Sequence, residues 1–250
     1  MRVVSRRFPV AKALDPVLDS FSTRRLTSSV ERERRLEVRR LGVLPYGETL
    51  ELQKALVADR KFGRSSDLLL LLQHPHVITL GSAARHSLEN LRVSQTELQK
   101  LGVEFCDVPR GGDVTYHGPG QLIGYPILDL RPDRCDVHRY VRDLEEVLIR
   151  TARVFGVNAV RVEGLTGVWV GNNKLAAIGV RLSRWVTSHG FALNVDTDLE
   201  YFKLIRPCGI EGRGVTSLAE VTDRRVSVDS VDAVLVGEFE RVFGRAAAGG

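Results

Sequence analysis

Four glycines, a proline and six polar side chains share the twelve residues RGGDVTYHGPGQ at positions 110–121. Gly111, Gly112, Gly118 and Gly120 carry no Cβ, so a ligand can approach their backbone N–H groups closely. Arg110, Thr115, Tyr116 and His117 supply more polar chemistry than a turn requires, which points to a binding rim. A glycine-rich hairpin is the plain alternative. Phosphate binding fits poorly: a Walker loop needs GKS or GKT entering a helix, and a dinucleotide loop needs GxGxxG between strand and helix. This segment has neither spacing and reads as joining strand to strand.

The second source of chemistry is sulfur. Cys106, Cys135 and Cys208 lie 29 and 73 residues apart, and an odd number without a CxxC pair argues against a disulfide framework and a zinc site. A reducing compartment fits, and each thiol is a candidate. Cys106 sits in an alternating strand and reads as core. Cys135, in RPDRCDV, stands at a helix entry between Asp133 and Asp136, anions that disfavour a thiolate. Cys208, in IRPCGIEGRG, lies between Pro207 and Gly209 with Arg206 and Arg213 near in sequence, and cations favour the attacking thiolate. A buried structural thiol is the equal alternative. A nucleophilic cysteine needs a base or a cation beside it, and His117, His189 and Lys174 are the candidates. Lys174 follows Asn172–Asn173 and opens an apolar strand. That position is ordinarily a solvated strand end, although a lysine in an apolar pocket becomes a proton acceptor. His74 and His76 are two ligands at most, too few for a metal site, and read as strand packing.

Those groups must be positioned by regular elements. LEVRRLGV reads as a strand from Leu36, followed by a helix over 47–62 that buries Leu52, Ala55 and Leu56. DLLLLLQHP and VITLG read as consecutive strands. Ser94 and Glu97 form a capping box for a short helix that Gly102 ends, and VEFCDV follows as a strand. DVTYH and QLIGYPILDL flank the glycine-rich loop as strands. The clearest helix spans 136–155, with Tyr140, Leu144, Val147, Leu148 and Val154 at helical spacing and Gly156 as its stop. VNAVRV, GVWVG, KLAAIGVRL and GFALNV then read as four strands, with Asn172–Asn173 supplying positive φ for a tight hairpin. A last helix over about 229–243 follows Ser227 as cap. Short strands interleaved with a few helices predict an α/β (α+β) domain with a mixed β-sheet flanked by helices.

The bulk numbers narrow the class. The 250 residues carry a net charge of +5, but residues 1–40 hold eleven basic side chains against five acidic ones, so the body is close to neutral. Residues 1–35 read as a basic, flexible tail and 36–250 as a single catalytic domain. The tail's arginines and serines faintly resemble a transit peptide, a reading that Asp15, Asp19, Glu31 and Glu33 weaken. With no apolar run of eighteen residues and no apolar signal region, a soluble, cytoplasmic protein is expected. The isolated RGG and GRG triplets are too short to imply RNA binding.

Five motifs occur in order: RGGDVTYHGPGQLIGYPI, TGVWVGNNKLAAIGVR, SHGFALNV, RPCGI and GVTSL. Together they resemble the octanoyltransferases of lipoate biosynthesis, from roughly Leu36 to Leu218. QHPHVITLG is similar to that family's N-terminal strand pair, with Gln73 where Glu is more usual. The resemblance implies a biotin/lipoate-protein-ligase-like catalytic domain. It implies transfer of an octanoyl group from octanoyl-acyl carrier protein to a lysine of the lipoyl domains of 2-oxoacid dehydrogenases and of the glycine cleavage H protein. Carried over by motif, Cys208 holds the acyl chain as a thioester while Lys174 lowers the thiol's pKa and shuttles protons. Arg110, Gly111, Gly112, Asp113, Val114, Thr115, Tyr116 and His117, with Ala177, Ile178 and Gly179 and with Gly190, Phe191 and Ala192, line the acyl site. Small residues at Gly179 and Gly190 are expected to leave room for the eight-carbon tail. The donor is already activated, so neither ATP nor any cofactor or metal is expected, and neither nucleic acid nor membrane is a partner.

Two other readings remain. One is an ATP-dependent lipoate or biotin protein ligase on the same fold; against it, Gly212-Arg213-Gly214 lacks the tryptophan that completes the biotin ligases' adenylate loop. The other is a non-catalytic binding protein whose basic tail grips nucleic acid or membrane.

Overall fold

The computed structural model describes residues 35–83, 89–206 and 212–247. Two expectations therefore lie outside the described residues: the basic tail before Arg35, and Cys208 itself. No helix among the described residues is long and apolar enough to cross a membrane.

Nine of the described strands form one sheet. Its order is β12 (Ala246–Ala247), β1 (Arg35–Val43), β2 (Asp67–Gln73), β6 (Gln121–Ile127), β10 (Val186–Asn194), β9 (Asn173–Ser183), β8 (Leu165–Val170) and β7 (Val160–Val162), with β11 (Gly214–Val215) also paired to β9. β1 runs parallel to both neighbours, β11 runs parallel to β9, and the other pairs are antiparallel, so the sheet is mixed as expected. A smaller sheet has the order β4 (Glu104–Asp107), β3 (Val77–Leu80), β5 (Val114–His117).

The leucine run of β2 shows why both faces are covered. Leu69 and Leu71 enter a core with α3 (Val137–Val154) and α5 (Val228–Phe243), whereas Leu68, Leu70 and Leu72 pack with Ile123, Tyr125 and Ala192 beneath α1 (Tyr46–Lys61). Successive strand side chains point to opposite faces, so a strand buried on both sides carries no polar alternation.

The helices largely start where their caps predict. Ser94 and Glu97 form the capping box of α2 (Gln95–Lys100), and the Ser227 side chain accepts from Ser230 N at the start of α5; Asp136, expected as the first residue of its helix, instead caps α3 by accepting from Arg139 N. The inward face of α1 differs from expectation. Tyr46, Thr49, Gln53, Leu56 and Arg60 are buried, Leu52 is half-buried and Ala55 is exposed. Polar bonds outweigh apolar spacing here: Gln53 Oε1 accepts from His189 N at 2.8 Å, and Arg60 Nε donates to Asp67 Oδ1 at 2.7 Å. Val154 is likewise exposed at the end of α3 instead of entering the core.

The β8–β9 turn is also corrected. Val170 pairs with Asn173, so the two-residue connection is Gly171–Asn172, and it is Gly171, at φ 55°, that takes the left-handed conformation rather than either asparagine. A 3₁₀ helix (Leu199–Leu204), α4 (Leu218–Thr222), β11 and β12 were not foreseen, being too short for periodicity to register.

Candidate active site

A cavity of about 420 Å³ opens between the two sheets, within the size range of small-molecule sites. The small sheet and the segment before β5 supply Arg110, Gly112, Asp113, Val114, Thr115 and His117 to its wall. The large sheet supplies Lys174, Ala177, Ile178 and Gly179 from β9, and Gly190, Phe191 and Ala192 from β10. Residues widely separated in sequence therefore share one surface. Gly111 and Tyr116 are not part of that surface. Gly111 N donates to Val180 O at 3.0 Å, stitching the loop onto β9. Tyr116 is fully buried on the far side, its hydroxyl 2.8 Å from His76 Nδ1 and its ring stacked on Tyr201.

Lys174 is positioned by three neighbouring strands. β10 stops pairing with β9 at Leu193–Ala176, and β11 takes over that edge, pairing Gly214 with Asn173 and Val215 with Lys174. On the other side Val168 faces Ala176 while Trp169 faces Lys174, a β-bulge that places two β9 residues against one step of β8. Lys174 Nζ then stands 4.8 Å from the centre of the Trp169 ring. Val215, seven residues after Cys208 in the chain, lines the same cavity as Lys174. On the near side of Cys208, Arg206 N is tied to Asn90 O at 2.7 Å, and Asn90 Nδ2 donates to Asp113.

The two histidine candidates for a base behave differently from a free imidazole. Gln121 Nε2 donates to Asn194 Oδ1 at 2.8 Å, so Gln121 Oε1 is the acceptor facing His117 Nδ1 at 2.8 Å, and His117 carries its proton on Nδ1. Burial, reinforced by the charges of nearby His74 and Arg110, pushes the His117 pKa down to about 3. Burial, with Arg110 and Arg181 close by, pushes His189 down to about 4. Both rings are therefore neutral at physiological pH and too weakly basic to accept a thiol proton, which leaves Lys174 as the candidate of the three. The same polar wall continues into Tyr46, stacked on His117 and pushed up to about 12 by burial, and into Tyr125, whose hydroxyl meets His74 Nε2 at 2.8 Å.

The thiols also separate. Cys106 is half-buried, its Sγ donates to Glu104 Oε1 at 3.0 Å, and burial with that carboxylate pushes its pKa up to about 12. It is an unreactive thiol rather than a closed core residue. Cys135 is exposed at the start of α3, outside the cavity wall.

The glycines of the site serve packing, which corrects the expected reason for them. A Cβ on Gly190 would stand 2.1 Å from Gly124 O and 2.6 Å from Pro126 Cδ, and one on Gly179 would stand 2.9 Å from Gly111 O and 3.2 Å from Arg110 Cδ. Protein atoms fill those spaces, so neither glycine holds open a place for a ligand. At Gly179 the close neighbour is the Arg110 side chain, whose guanidinium is fixed on Thr79 O (2.8 Å), Thr79 Oγ1 and Gly111 O. Tyr46, Tyr125 and Asn194 reach this wall through long-range packing, whereas Gln121 closes the glycine-rich stretch itself and bonds His117 four residues before it. His189 had a signal only as a titratable residue. Its unusual φ of 53° becomes visible in three dimensions alone.

A mixed sheet covered by helices, with a smaller sheet closing a cavity over it, is the architecture of lipoate-ligase catalytic domains. Lipoate-protein ligase A bound with ATP superposes with a TM-score of 0.66 at 18% identity, covering 87% of this chain and 88% of that one. A structure from an archaeal lipoylation system, described as a bipartite lipoate protein ligase and its E2 lipoyl domain from Thermoplasma acidophilum, gives 0.69 at 20% identity, over 87% and 86%. At such identities the likeness is one of fold. Residues 45–240 match the family described as "Lipoyl protein ligase A/B catalytic domain", and the chain belongs to that family of enzymes. Within it, the chain is 54% identical over 206 residues to an octanoyltransferase of Solibacter usitatus, covering 82% of this chain and 92% of that protein. It is 50% identical over 216 residues to an octanoyltransferase of Rubrobacter xylanophilus, covering 86% and 96%.

Proposed function

We propose that this protein transfers an octanoyl group from octanoyl-acyl carrier protein to a lysine of lipoyl domains, through a thioester on Cys208, in a reducing cytoplasm. The observation that carries the reading is the cavity whose wall includes both Lys174 and Val215, the latter on the short strand that follows the Cys208 segment. The sequence identity to octanoyltransferases supports the same acyl group.

The chemistry divides into two balanced steps. A Cys208 thiolate beside the Lys174 ammonium attacks the donor's thioester carbonyl. The S–acyl bond to the carrier breaks as the bond to Cys208 forms, and the leaving thiolate takes a proton from Lys174. The acceptor lysine's amine then attacks the enzyme thioester, an amide forms, Cys208 leaves as thiolate, and the amine's surplus proton returns to Lys174. A soft thiol suits the first step because it is both a good nucleophile and a good leaving group. Apolar wall residues such as Ala177, Ile178, Phe191 and Ala192 suit the chain, each buried methylene contributing about 0.8 kcal/mol.

The test is reconstitution with octanoyl-acyl carrier protein, a lipoyl domain and no nucleotide. Octanoylation of the domain is expected, together with its loss in Cys208→Ala. A requirement for ATP with free octanoate would replace this reading with a ligase.

A further inference from the structure

We propose that Trp169 is the positioning residue of Lys174, an aromatic platform whose face holds the amine at the mouth of the cavity. The inference rests on the role given above to Lys174. Four observations converge on it. The β-bulge makes Trp169 the direct cross-strand partner of Lys174, and the ammonium nitrogen lies 4.8 Å from the ring centre. Arg213, on the approach to β11, brings its guanidinium carbon to 5.0 Å from the same ring. Trp169 is only 2% exposed, yet its indole N–H finds no hydrogen-bond partner among the described residues. A buried N–H without a partner costs stability, so the ring is kept for what its face does rather than for its hydrogen bond. Finally, Gly167 at φ 118° lets β8 close on β9 at this point: a Cβ there would stand 2.6 Å from Ala176 O, with the Lys174 stem beside it at ordinary contact distance, 3.5 Å to Cε.

A tryptophan face attracts a cation more strongly than other aromatic faces and leaves the ammonium's N–H donors pointing outward. Lysine is a flexible four-carbon stem, and a ring face packed against it narrows the rotamers it can sample. Trp169 does so without forming a hydrogen bond that would compete for the proton. Two cations on one ring also concentrate positive charge there, and one of them, Arg213, follows Cys208 by five residues in the chain.

The test combines a spectroscopic and a chemical readout. Lysines are reductively ¹³C-methylated and the Lys174 signal is assigned by its loss in Lys174→Arg. In the wild-type protein that signal is expected upfield of the other lysines through the ring current, reduced in Trp169→Phe and absent in Trp169→Leu. Alkylation of Cys208 with iodoacetamide is then followed against pH. Trp169→Leu is expected to slow it about three- to tenfold near neutrality, the range a partly desolvated cation–π contact supplies, while Trp169→Phe recovers most of the rate. An unshifted Lys174 signal in the wild-type protein overturns the proposal even if the leucine variant does not fold. So does an alkylation profile that Trp169→Leu leaves unchanged in a folded protein. If Lys174→Ala itself leaves the profile unchanged, the thiol-activating role of Lys174 fails instead, and the methyl signal still decides whether the ring holds the amine.

Discussion

At the scale of single residues, the proposed role of Lys174 and the two buried neutral histidines each make a prediction. Lys174→Ala is expected to reduce octanoyl transfer by about a hundredfold or more, the lower end of what a positioned proton-transfer group supplies, with the unfolding midpoint little changed. Steady-state kinetics beside thermal unfolding separates the two effects. The histidines make a prediction about pH. His117 and His189 are neutral in the folded protein down to about 3 and about 4, whereas an unfolded chain takes up protons near 6.5. Their depressed values favour the folded state fully above about pH 6.5, and that stability is lost as the pH falls toward 4. Each histidine contributes a decline of about 1.4 kcal/mol per pH unit in that window. Urea unfolding from about pH 6.5 to pH 5 should show the decline, and His189→Asn should make it shallower. A slope indifferent to that substitution would remove the buried neutral imidazole from the account.

At the scale of elements, close backbone packing sets the cavity wall. Gly190 on β10 lies against Gly124 on β6, and Gly179 on β9 lies against Arg110 and Gly111. Gly190→Ala should cost about 1–3 kcal/mol, the usual range for overpacking, read as a lower urea midpoint at constant slope. An alanine tolerated there without loss would mean that the two strands are farther apart than described. This is also where the sequence was partly silent. Strand and helix identities were legible from period and caps, as with Ser94 and Ser227. The inward stripe of α1 was not, since Gln53 and Arg60 are buried by partners 136 and 7 residues away rather than by apolarity. The glycines were visible, but their reason was not: spacing cannot tell a residue that admits a ligand from one that admits another strand. The β-bulge at Lys174 was hidden for the same reason, as register is a property of two strands together.

At the scale of the whole molecule, one buried ionic group fastens the end of the described chain to the sheet. Asp67, fully buried, accepts from Arg60 Nε and from Asp129 N and pairs with Arg245, whose Nη2 reaches Asp129 O at 3.1 Å. Removing one partner leaves uncompensated charge, so Asp67→Ala should destabilise the fold by about 3–5 kcal/mol, measured by chemical unfolding. Loss near zero would show that Arg60 and Arg245 find water instead. The family was legible from five motifs strung along the chain; the match over residues 45–240 overlaps the expected 36–218 but reaches further toward the C-terminal end, through most of α5. What the motifs could not carry is which of their residues face the cavity. Tyr116 and Gly111, embedded in the most distinctive stretch, turn to structural tasks, while Tyr46 and Asn194 arrive from outside it. If the carrier and the lipoyl domain dock through acidic faces, transfer should weaken as salt rises.

The central claim is that the acyl group rests on one sulfur during transfer. Intact mass spectrometry after brief mixing with octanoyl-acyl carrier protein, followed by peptide mapping, tests it most directly. The account predicts a single octanoyl adduct on the peptide carrying Cys208, cleaved by hydroxylamine and discharged by a lipoyl domain. Turnover with no adduct, or an adduct on Cys106 or Cys135, would contradict it.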